Sequence, residues 1–144
     1  MSKNKILILN GPNLNMLGTR EVAMYGNSSL EEIIQFTEEK TKDLDIEIDW
    51  VQSNHEGEII EKIHAIPGNY KALIINPGAF SHTSVAILDA MRMLSIPIVE
   101  VHLSNTQRRE DYRQVKLTAK ASTIIMEGLG KKAYLVAIWS LFKD

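Results

Sequence analysis

A glutamate and a histidine two residues apart, at the end of an apolar stretch, are the side chains best suited to chemistry. The stretch Ile98-Val-Glu-Val-His-Leu-Ser-Asn105 begins as a buried strand and ends in polar groups. Alternate residues of a strand share a side, so Glu100 and His102 are expected to point the same way. A carboxylate beside an imidazole fixes its orientation and raises its basicity, which suits a general acid or base. The alternative is that His102 only caps the strand.

A long connection, residues 10–27, follows the first apolar run. It contains a second pair of side chains that could take part in chemistry, Arg20 and Tyr25. Its glycine spacing fits neither a P-loop nor a dinucleotide-binding fingerprint. Connections of this length are typically functional or disordered, and the apolar residues here argue against disorder. We interpret the segment as a lid that carries Arg20 and Tyr25 over a site. An ordinary packed loop, with both side chains on the surface, is the alternative.

The connection after the third apolar run carries groups that suit ligand binding. Asn76 ends that run, and His82 lies near an expected helix start, where free N–H groups favour anions. Asp89 follows His82 by seven residues, two helical turns, so both are expected on one helix face. For Asp89, a solvated or subunit-contact carboxylate is the alternative.

Two arginines follow the strand that bears the glutamate–histidine pair. Arg109 and Arg113 are four residues apart, so they are expected to share a helix face. Arginine pairs suit the recognition of carboxylates and phosphates. A charged turn of this kind is also typical of a solvated surface. Because this turn follows Glu100 and His102 closely in the sequence, we favour the functional interpretation.

Composition narrows the class of protein. The chain has 144 residues, which predicts one domain, and with 44% hydrophobic but only 6% aromatic residues its core must be aliphatic. A net charge of −2 argues against nucleic-acid binding, and the lack of cysteine excludes disulfides and thiolate chemistry.

His55-Glu56 resembles the start of a zinc-protease motif, but Ile59 breaks it, so His55 and His64 are expected to be surface or structural residues. With no signal-peptide pattern and no membrane-length apolar run, we expect a cytoplasmic protein without membrane contact.

Apolar runs and amphipathic segments alternate along the chain. Strands are expected at 6–9, 46–51, 72–75 and 123–126 and, opened by Pro97, within the stretch 98–105. Helices are expected from Ser28 or Ser29 toward Leu44, at 56–66, at 83–94 with Ser81 or Thr83 near the cap, and at 130–142. Glu31 or Glu32 can complete a capping box at the first helix. The alternation predicts an α/β fold, a flavodoxin-like five-stranded parallel sheet of order 2-1-3-4-5 with helices on both faces. The loops after strands 1, 3 and 4 then converge.

These segments together resemble the type II 3-dehydroquinate dehydratases. The matching motifs are Asn10-Gly-Pro-Asn-Leu-Asn15 with Gly18, Arg20-Glu21 and Tyr25-Gly26; Gln52-Ser-Asn-His-Glu-Gly57; Asn76-Pro-Gly-Ala79 with His82-Thr-Ser-Val-Ala86 and Asp89; and Glu100-Val-His-Leu-Ser-Asn105 with Arg109 and Arg113. The resemblance implies a single catalytic domain over residues 1–144, trimers assembled into a homododecamer, and no metal or organic cofactor. It implies the dehydration of 3-dehydroquinate to 3-dehydroshikimate by anti elimination through an enolate, in the shikimate pathway of aromatic amino acid biosynthesis or in quinate breakdown.

The resemblance also implies roles for individual residues. Tyr25 would be the base, His102 the acid, Arg20 the stabiliser of the tyrosinate, Asn13 the holder of a water against the enolate oxygen, and Glu100 the residue that orients His102. Asn76, His82, Arg113 and the backbone of Leu103 and Ser104 would bind the substrate, and Asp89 would reach a neighbouring subunit's site.

A tyrosine base needs positive charge nearby. Ionising a phenol at pH 7 costs about 4 kcal/mol, and a cation ~4 Å away contributes about 4 kcal/mol at an effective dielectric of ~20. Because desolvation opposes ionisation, a second cation besides Arg20, either Arg109 or Arg113, is expected near Tyr25.

Two rival functions remain at this stage. A flavodoxin-like binding module without catalysis would need a phosphate loop after the first strand or a cluster of acidic residues at strand ends, and the sequence offers neither, since no acidic pair ends the first strand. An inactive structural oligomer is the other rival, and the presence of Tyr25, Arg20 and His102 argues against it.

Replacing Arg20 by alanine is expected to remove most of kcat while substrate still binds, because the tyrosinate loses a stabilising charge. Steady-state kinetics and a binding titration on the Arg20→Ala variant measure the two quantities separately. Normal turnover by this variant would contradict a mechanism that uses an ionised tyrosine.

Overall fold

Short aliphatic runs form the strands of one parallel sheet. A computed structural model of the chain describes residues 4–19 and 22–144. Within them the strands are β1 (Asn4–Asn10), β2 (Ile46–Gln52), β3 (Ala72–Asn76), β4 (Ile98–His102) and β5 (Ile124–Glu127). Their order is β2-β1-β3-β4-β5 and every pair is parallel, which confirms the predicted flavodoxin-like topology. The half-exposed β2 lies at an edge of the sheet.

Helices connect the strands and cover both faces of the sheet. The α-helices in the described residues are α1 (Val22–Tyr25), α2 (Leu30–Thr41), α3 (Glu56–His64), α4 (Phe80–Thr83), α5 (Val85–Arg92) and α6 (Ala133–Phe142). Helices α2 and α3 end before the predicted Leu44 and Ile66, and α6 follows a 3₁₀ turn at Gly130–Lys132 where the prediction began the helix. None of the helices in residues 4–19 and 22–144 has the length and apolarity to cross a membrane.

Side-chain alternation along the strands divides the core into two layers. On β1, Ile8 packs in the layer that contains α2 and α6, whereas Leu9 packs in the layer that contains α3 and α5. Both are fully buried, and burying such a side chain contributes roughly 1.5–3 kcal/mol. On β4 the same alternation places Glu100 and His102 on the side of α3 and α5, because their neighbours Val99 and Val101 belong to the other layer.

The helix predicted over 83–94 is present as α5, but its predicted start is wrong, because the helical path is interrupted at Ser84. Ser84 is extended (φ −98°, ψ 97°), and its hydroxyl caps α5 by accepting a backbone N–H at 2.9 Å. Neither Ser81 nor Thr83 is the cap, since the Ser81 hydroxyl is used elsewhere. His82 therefore lies in α4 and Asp89 in α5, and the two do not share the face of one helix as expected.

The helix predicted to carry Arg109 and Arg113 is also absent from the described structure. Two 3₁₀ turns, Thr106–Arg108 and Asp111–Arg113, replace it. Arg109 lies between them in an extended conformation (φ −114°, ψ −168°), so the i,i+4 spacing does not place the two arginines on one helix face. They are brought together instead by the path of the loop.

A close backbone contact joins the ends of β1 and β3. The N–H of Gly11 donates to the carbonyl of Asn76 at 2.7 Å. A Cβ atom at Gly11 would lie 2.4 Å from the carbonyl oxygen of Pro77, well inside van der Waals contact. Glycine is required at this position for lack of space, and the contact fixes the spacing of the first and third connections.

Replacing Ser29 by alanine is expected to lower the free energy of unfolding by about 1 kcal/mol. The Ser29 hydroxyl accepts from the N–H of Glu32 at 3.1 Å, and the Glu32 carboxylate accepts from the N–H of Ser29 at 3.0 Å, so the predicted capping box is confirmed. Urea denaturation measures the effect, with Ser29→Asp, which keeps a capping oxygen, as the control. Equal stability of the alanine variant and the wild type would contradict the assignment.

Candidate active site

The carboxyl ends of β1, β3 and β4 border a pocket of about 590 Å³, part of it open to solvent. Nine of the predicted site residues line this pocket: Asn13 and Tyr25 after β1, Asn76 and His82 after β3, and His102, Leu103, Ser104, Arg109 and Arg113 at and after β4. Two arginines and two histidines therefore line it, and no carboxylate of the described residues does. This charge distribution favours an anionic ligand.

Glu100 and His102 form a buried pair, as the two-residue spacing predicts. The Nε2 atom of His102 lies 2.7 Å from Oε2 of Glu100, and the two residues are 6% and 0% exposed. An ionised carboxylate only accepts hydrogen bonds, so Nε2 carries the hydrogen in this pair. The other ring nitrogen, Nδ1, is left to meet a ligand in the pocket.

Tyr25 is in contact with a guanidinium group, as a tyrosine base requires. The Nη1 atom of Arg109 donates to the Tyr25 hydroxyl at 2.5 Å and to the Ser104 hydroxyl at 3.3 Å. The side chain of Arg109 is only 4% exposed, so its charge is weakly screened. The expected second cation near Tyr25 is therefore Arg109.

Arg113 adds a second positive charge to the same wall. Partial burial disfavours its charge, but the pKa of Arg113 lies above the ordinary arginine value because Tyr25, Glu110 and Tyr112 attract the guanidinium. Its Nε atom donates to Glu110 at 3.2 Å, which anchors the side chain at the rim. Arg113 is thus positioned to attract an anionic group of a ligand.

His82 is a neutral acceptor rather than a third cation. Its pKa is lowered, first by burial and also by the nearby charges of His102, Arg113 and Lys116. Its Nδ1 lies 2.7 Å from the carbonyl oxygen of Val115, and a carbonyl can only accept, so Nδ1 carries the hydrogen. The Nε2 lone pair is therefore available to accept a hydrogen bond from a ligand hydroxyl.

Two asparagines complete the pocket floor. The Asn76 side chain is held at both ends, because its Nδ2 donates to the Tyr134 hydroxyl at 3.2 Å and its Oδ1 accepts from the N–H of Gly78 at 3.2 Å. Asn13 adopts a left-handed conformation (φ 69°), which asparagine tolerates better than most residues. Its N–H donates to Oδ1 of Asn54 at 2.9 Å, so this backbone is anchored to the segment after β2.

Two of the predicted site residues that the structure describes do not line the pocket. Glu100 lies behind His102, as its predicted orienting role would require. Asp89 is exposed on α5, and its predicted reach into a neighbouring subunit is not tested by a single chain. Arg20 lies outside the described residues.

His55 and His64 are exposed and away from the pocket. The described residues contain no cluster of three or more His, Asp or Glu that could hold a metal.

Sequence reasoning missed two hydroxyl groups that contact Glu100. The Ser81 hydroxyl lies 2.9 Å from Oε2, and the Thr118 hydroxyl lies 2.6 Å from Oε1. Ser81 stood out only as a possible helix cap, and Thr118 sits in a stretch without any motif. A contact between positions 18 apart, such as Thr118 and Glu100, leaves no local pattern in the sequence.

Such a parallel α/β fold, with a carboxylate-bound histidine and a cation-bound tyrosine in one cationic pocket, is typical of a small enzyme that acts on an anionic substrate. Comparisons with known proteins identify the family. Residues 4–142 match the family described as dehydroquinase class II. The chain is 53% identical over 135 residues to the 3-dehydroquinate dehydratase of Clostridium botulinum (strain Hall), covering 94% of this chain and 92% of that protein. The chain belongs to the class II dehydroquinase family.

Solved structures agree with this assignment. The type II dehydroquinase from Butyrivibrio crossotus superposes with a TM-score of 0.93 at 43% identity, over 96% of this chain and 97% of that one. The type II dehydroquinase from Propionibacterium acnes superposes with a TM-score of 0.94 at 34% identity, over 99% of both chains.

His82 is expected to titrate below the ordinary histidine value of about 6.5. In the unfolded chain His82 binds its proton near the ordinary value, whereas in the folded chain its pKa is lower. As the pH falls between these two pKa values, the unfolded state gains a proton that the folded state does not, so the free energy of unfolding falls. Urea denaturation of the wild type and of His82→Asn, which cannot titrate, isolates this contribution between about pH 5 and 8. A stability difference between the two proteins that is independent of pH would contradict the assignment.

Proposed function

We propose that this chain dehydrates 3-dehydroquinate to 3-dehydroshikimate by anti elimination through an enolate, in the described pocket. The observation that carries the proposal is that Tyr25, bound by the buried Arg109, lines the same pocket as the Glu100–His102 pair. One group can act as a base and the other as an acid. Family membership supports the reaction, and the contacts support the assignment of roles.

Tyr25 acts as the base that removes a proton from the carbon next to the substrate ketone. Ionising a phenol costs about 4 kcal/mol at pH 7. A guanidinium in direct contact offsets a comparable amount, since two unit charges ~4 Å apart attract by about 4 kcal/mol at an effective dielectric of ~20. Arg109 supplies this charge in the described residues, and Arg20 adds to it in the proposal.

His102 acts as the acid in the second step. The C–H electrons have by then moved into the enolate, and re-forming the ketone expels the β-hydroxyl group. Protonated His102 gives a proton to that group, so it leaves as water and the neutral imidazole remains. Glu100 stabilises the imidazolium and orients the ring from behind.

The remaining residues bind the substrate. Arg113 receives the carboxylate, and the neutral His82 accepts a hydrogen bond from a ring hydroxyl. Asn76 and the backbone of Leu103 and Ser104 complete the binding site, and Asn13 holds a water against the enolate oxygen. In this scheme protein side chains supply every proton transfer, so no cofactor is invoked.

By family resemblance, residues 1–144 form one catalytic domain, and trimers assemble into a dodecamer in which Asp89 reaches a neighbouring site. A cytoplasmic role in the shikimate pathway or in quinate breakdown also rests on that resemblance. Sedimentation analysis tests the assembly.

Turnover of 3-dehydroquinate is expected to produce an enone that absorbs in the near ultraviolet, whereas the substrate does not. Tyr25→Phe and His102→Gln should each lower kcat by roughly 10²–10⁴-fold, because each removes a proton-transfer group. In D₂O, His102→Gln should still exchange the α-proton of the substrate, since the base is intact, whereas Tyr25→Phe should not.

The matched control is Tyr70→Phe, a tyrosine bound to Asp49 at 2.6 Å outside the pocket, which should keep wild-type activity. Substrate binding without any absorbance change by the wild type would overturn the proposal in favour of a binding module. Exchange by Tyr25→Phe at the wild-type rate would remove Tyr25 from the role of base.

A further inference from the structure

We propose that Thr118, together with Ser81, is a positioning residue that acts through Glu100 to hold His102 in the tautomer with its hydrogen on Nε2, which leaves Nδ1 for the substrate. This inference rests on the proposed function of His102 as the acid. Neither hydroxyl lines the pocket, so both act through Glu100 rather than on the ligand.

Glu100 is a fully buried carboxylate surrounded by donors. Its Oε1 receives the Thr118 hydroxyl at 2.6 Å, and its Oε2 receives the Ser81 hydroxyl at 2.9 Å and Nε2 of His102 at 2.7 Å. The two hydroxyl oxygens lie 3.0 Å apart. A buried charge is expensive unless its lone pairs are satisfied, and this set of contacts satisfies both oxygens.

The proton positions follow from this arrangement. Each hydroxyl has one proton, and directing both to Glu100 leaves the carboxylate as the acceptor at each contact. A protonated Glu100 would instead donate to Nε2 of His102 or to a hydroxyl oxygen, and one of these contacts would then reverse its direction. With Glu100 ionised, Nε2 of His102 must donate, so Nδ1 is the nitrogen that meets the substrate.

Thr118 is itself held in place by the backbone. It begins a 3₁₀ turn at Thr118–Ala121, is fully buried, and follows Leu117, whose N–H donates to the carbonyl of Ser81 at 2.7 Å. This contact docks the turn against α4, where His82 also lies. The hydroxyl of Thr118 is thereby fixed relative to β4, although 18 positions separate it from Glu100.

The test compares Thr118→Val, which removes the hydroxyl but keeps the shape, with Thr118→Ser, which keeps the hydroxyl. We expect Thr118→Val to lower kcat at least tenfold with KM changed less than threefold, because the ligand contacts are intact. Thr118→Ser should restore kcat to within threefold of the wild type. A loss in Thr118→Ser equal to that in Thr118→Val would overturn the proposal, since packing alone would then explain both.

Imidazole ¹⁵N spectra give a readout that does not require turnover. The chain has four histidines, and the signal missing in His102→Gln assigns His102. In the neutral ring of the wild type, Nε2 should be the protonated nitrogen, and Thr118→Val should show a mixture of the two tautomers. Wild-type kcat together with an unchanged tautomer in Thr118→Val would overturn the proposal.

Thr37→Val is the matched control. Thr37 is also fully buried, and its hydroxyl donates to the carbonyl of Ile33 at 2.8 Å within α2, outside the pocket lining. It should change stability without altering kcat or the His102 spectrum.

If Thr118→Val does not fold, Ser81→Ala removes the other hydroxyl donor and should show the same fall in kcat. Failure of the wild type to turn over 3-dehydroquinate would contradict the proposed function, whereas the tautomer spectra would still decide this inference.

Discussion

The site depends on one buried charge, the carboxylate of Glu100. An isolated ion in this position would be destabilising by several kcal/mol even after relaxation. The fold offsets this cost with hydrogen bonds from His102, from Ser81 and from Thr118. Because these donors belong to β4, to α4 and to a distant 3₁₀ turn, the carboxylate is satisfied only when all three segments have docked. Folding of this half of the sheet and assembly of the Glu100–His102 pair are therefore coupled.

The carboxylate of the site and its guanidinium groups occupy different positions relative to the pocket. Glu100 lies behind His102, where it contacts the ring without lining the pocket. The guanidinium groups of Arg109 and Arg113 face the pocket, where one contacts Tyr25 and both attract an anion. The guanidinium group that contacts Tyr25 therefore belongs to the same positively charged lining that favours an anionic ligand.

Much of this organisation was predictable because it follows from short-range patterns. Alternating apolar runs predicted the sheet and its order, the two-residue spacing predicted the Glu100–His102 contact, and a serine three residues before a glutamate predicted the capping box at Ser29. The break at Ser84 was missed because three nearby hydroxyl residues can all cap a helix, and a tertiary contact of Ser81 decides among them. Thr118 was missed because its partner is distant in the sequence.

The contact between Gly11 and Pro77 joins the two backbones that carry the pocket asparagines. A Cβ atom at Gly11 would lie only 2.4 Å from the carbonyl oxygen of Pro77, and the N–H of Gly11 donates to the carbonyl of Asn76, so the backbones that carry Asn13 and Asn76 are held together. Tyr25 is carried by a separate helix of four residues, which takes no part in this contact. An inhibitor built to fit the asparagine side would meet a preformed surface there and incur little reorganisation entropy.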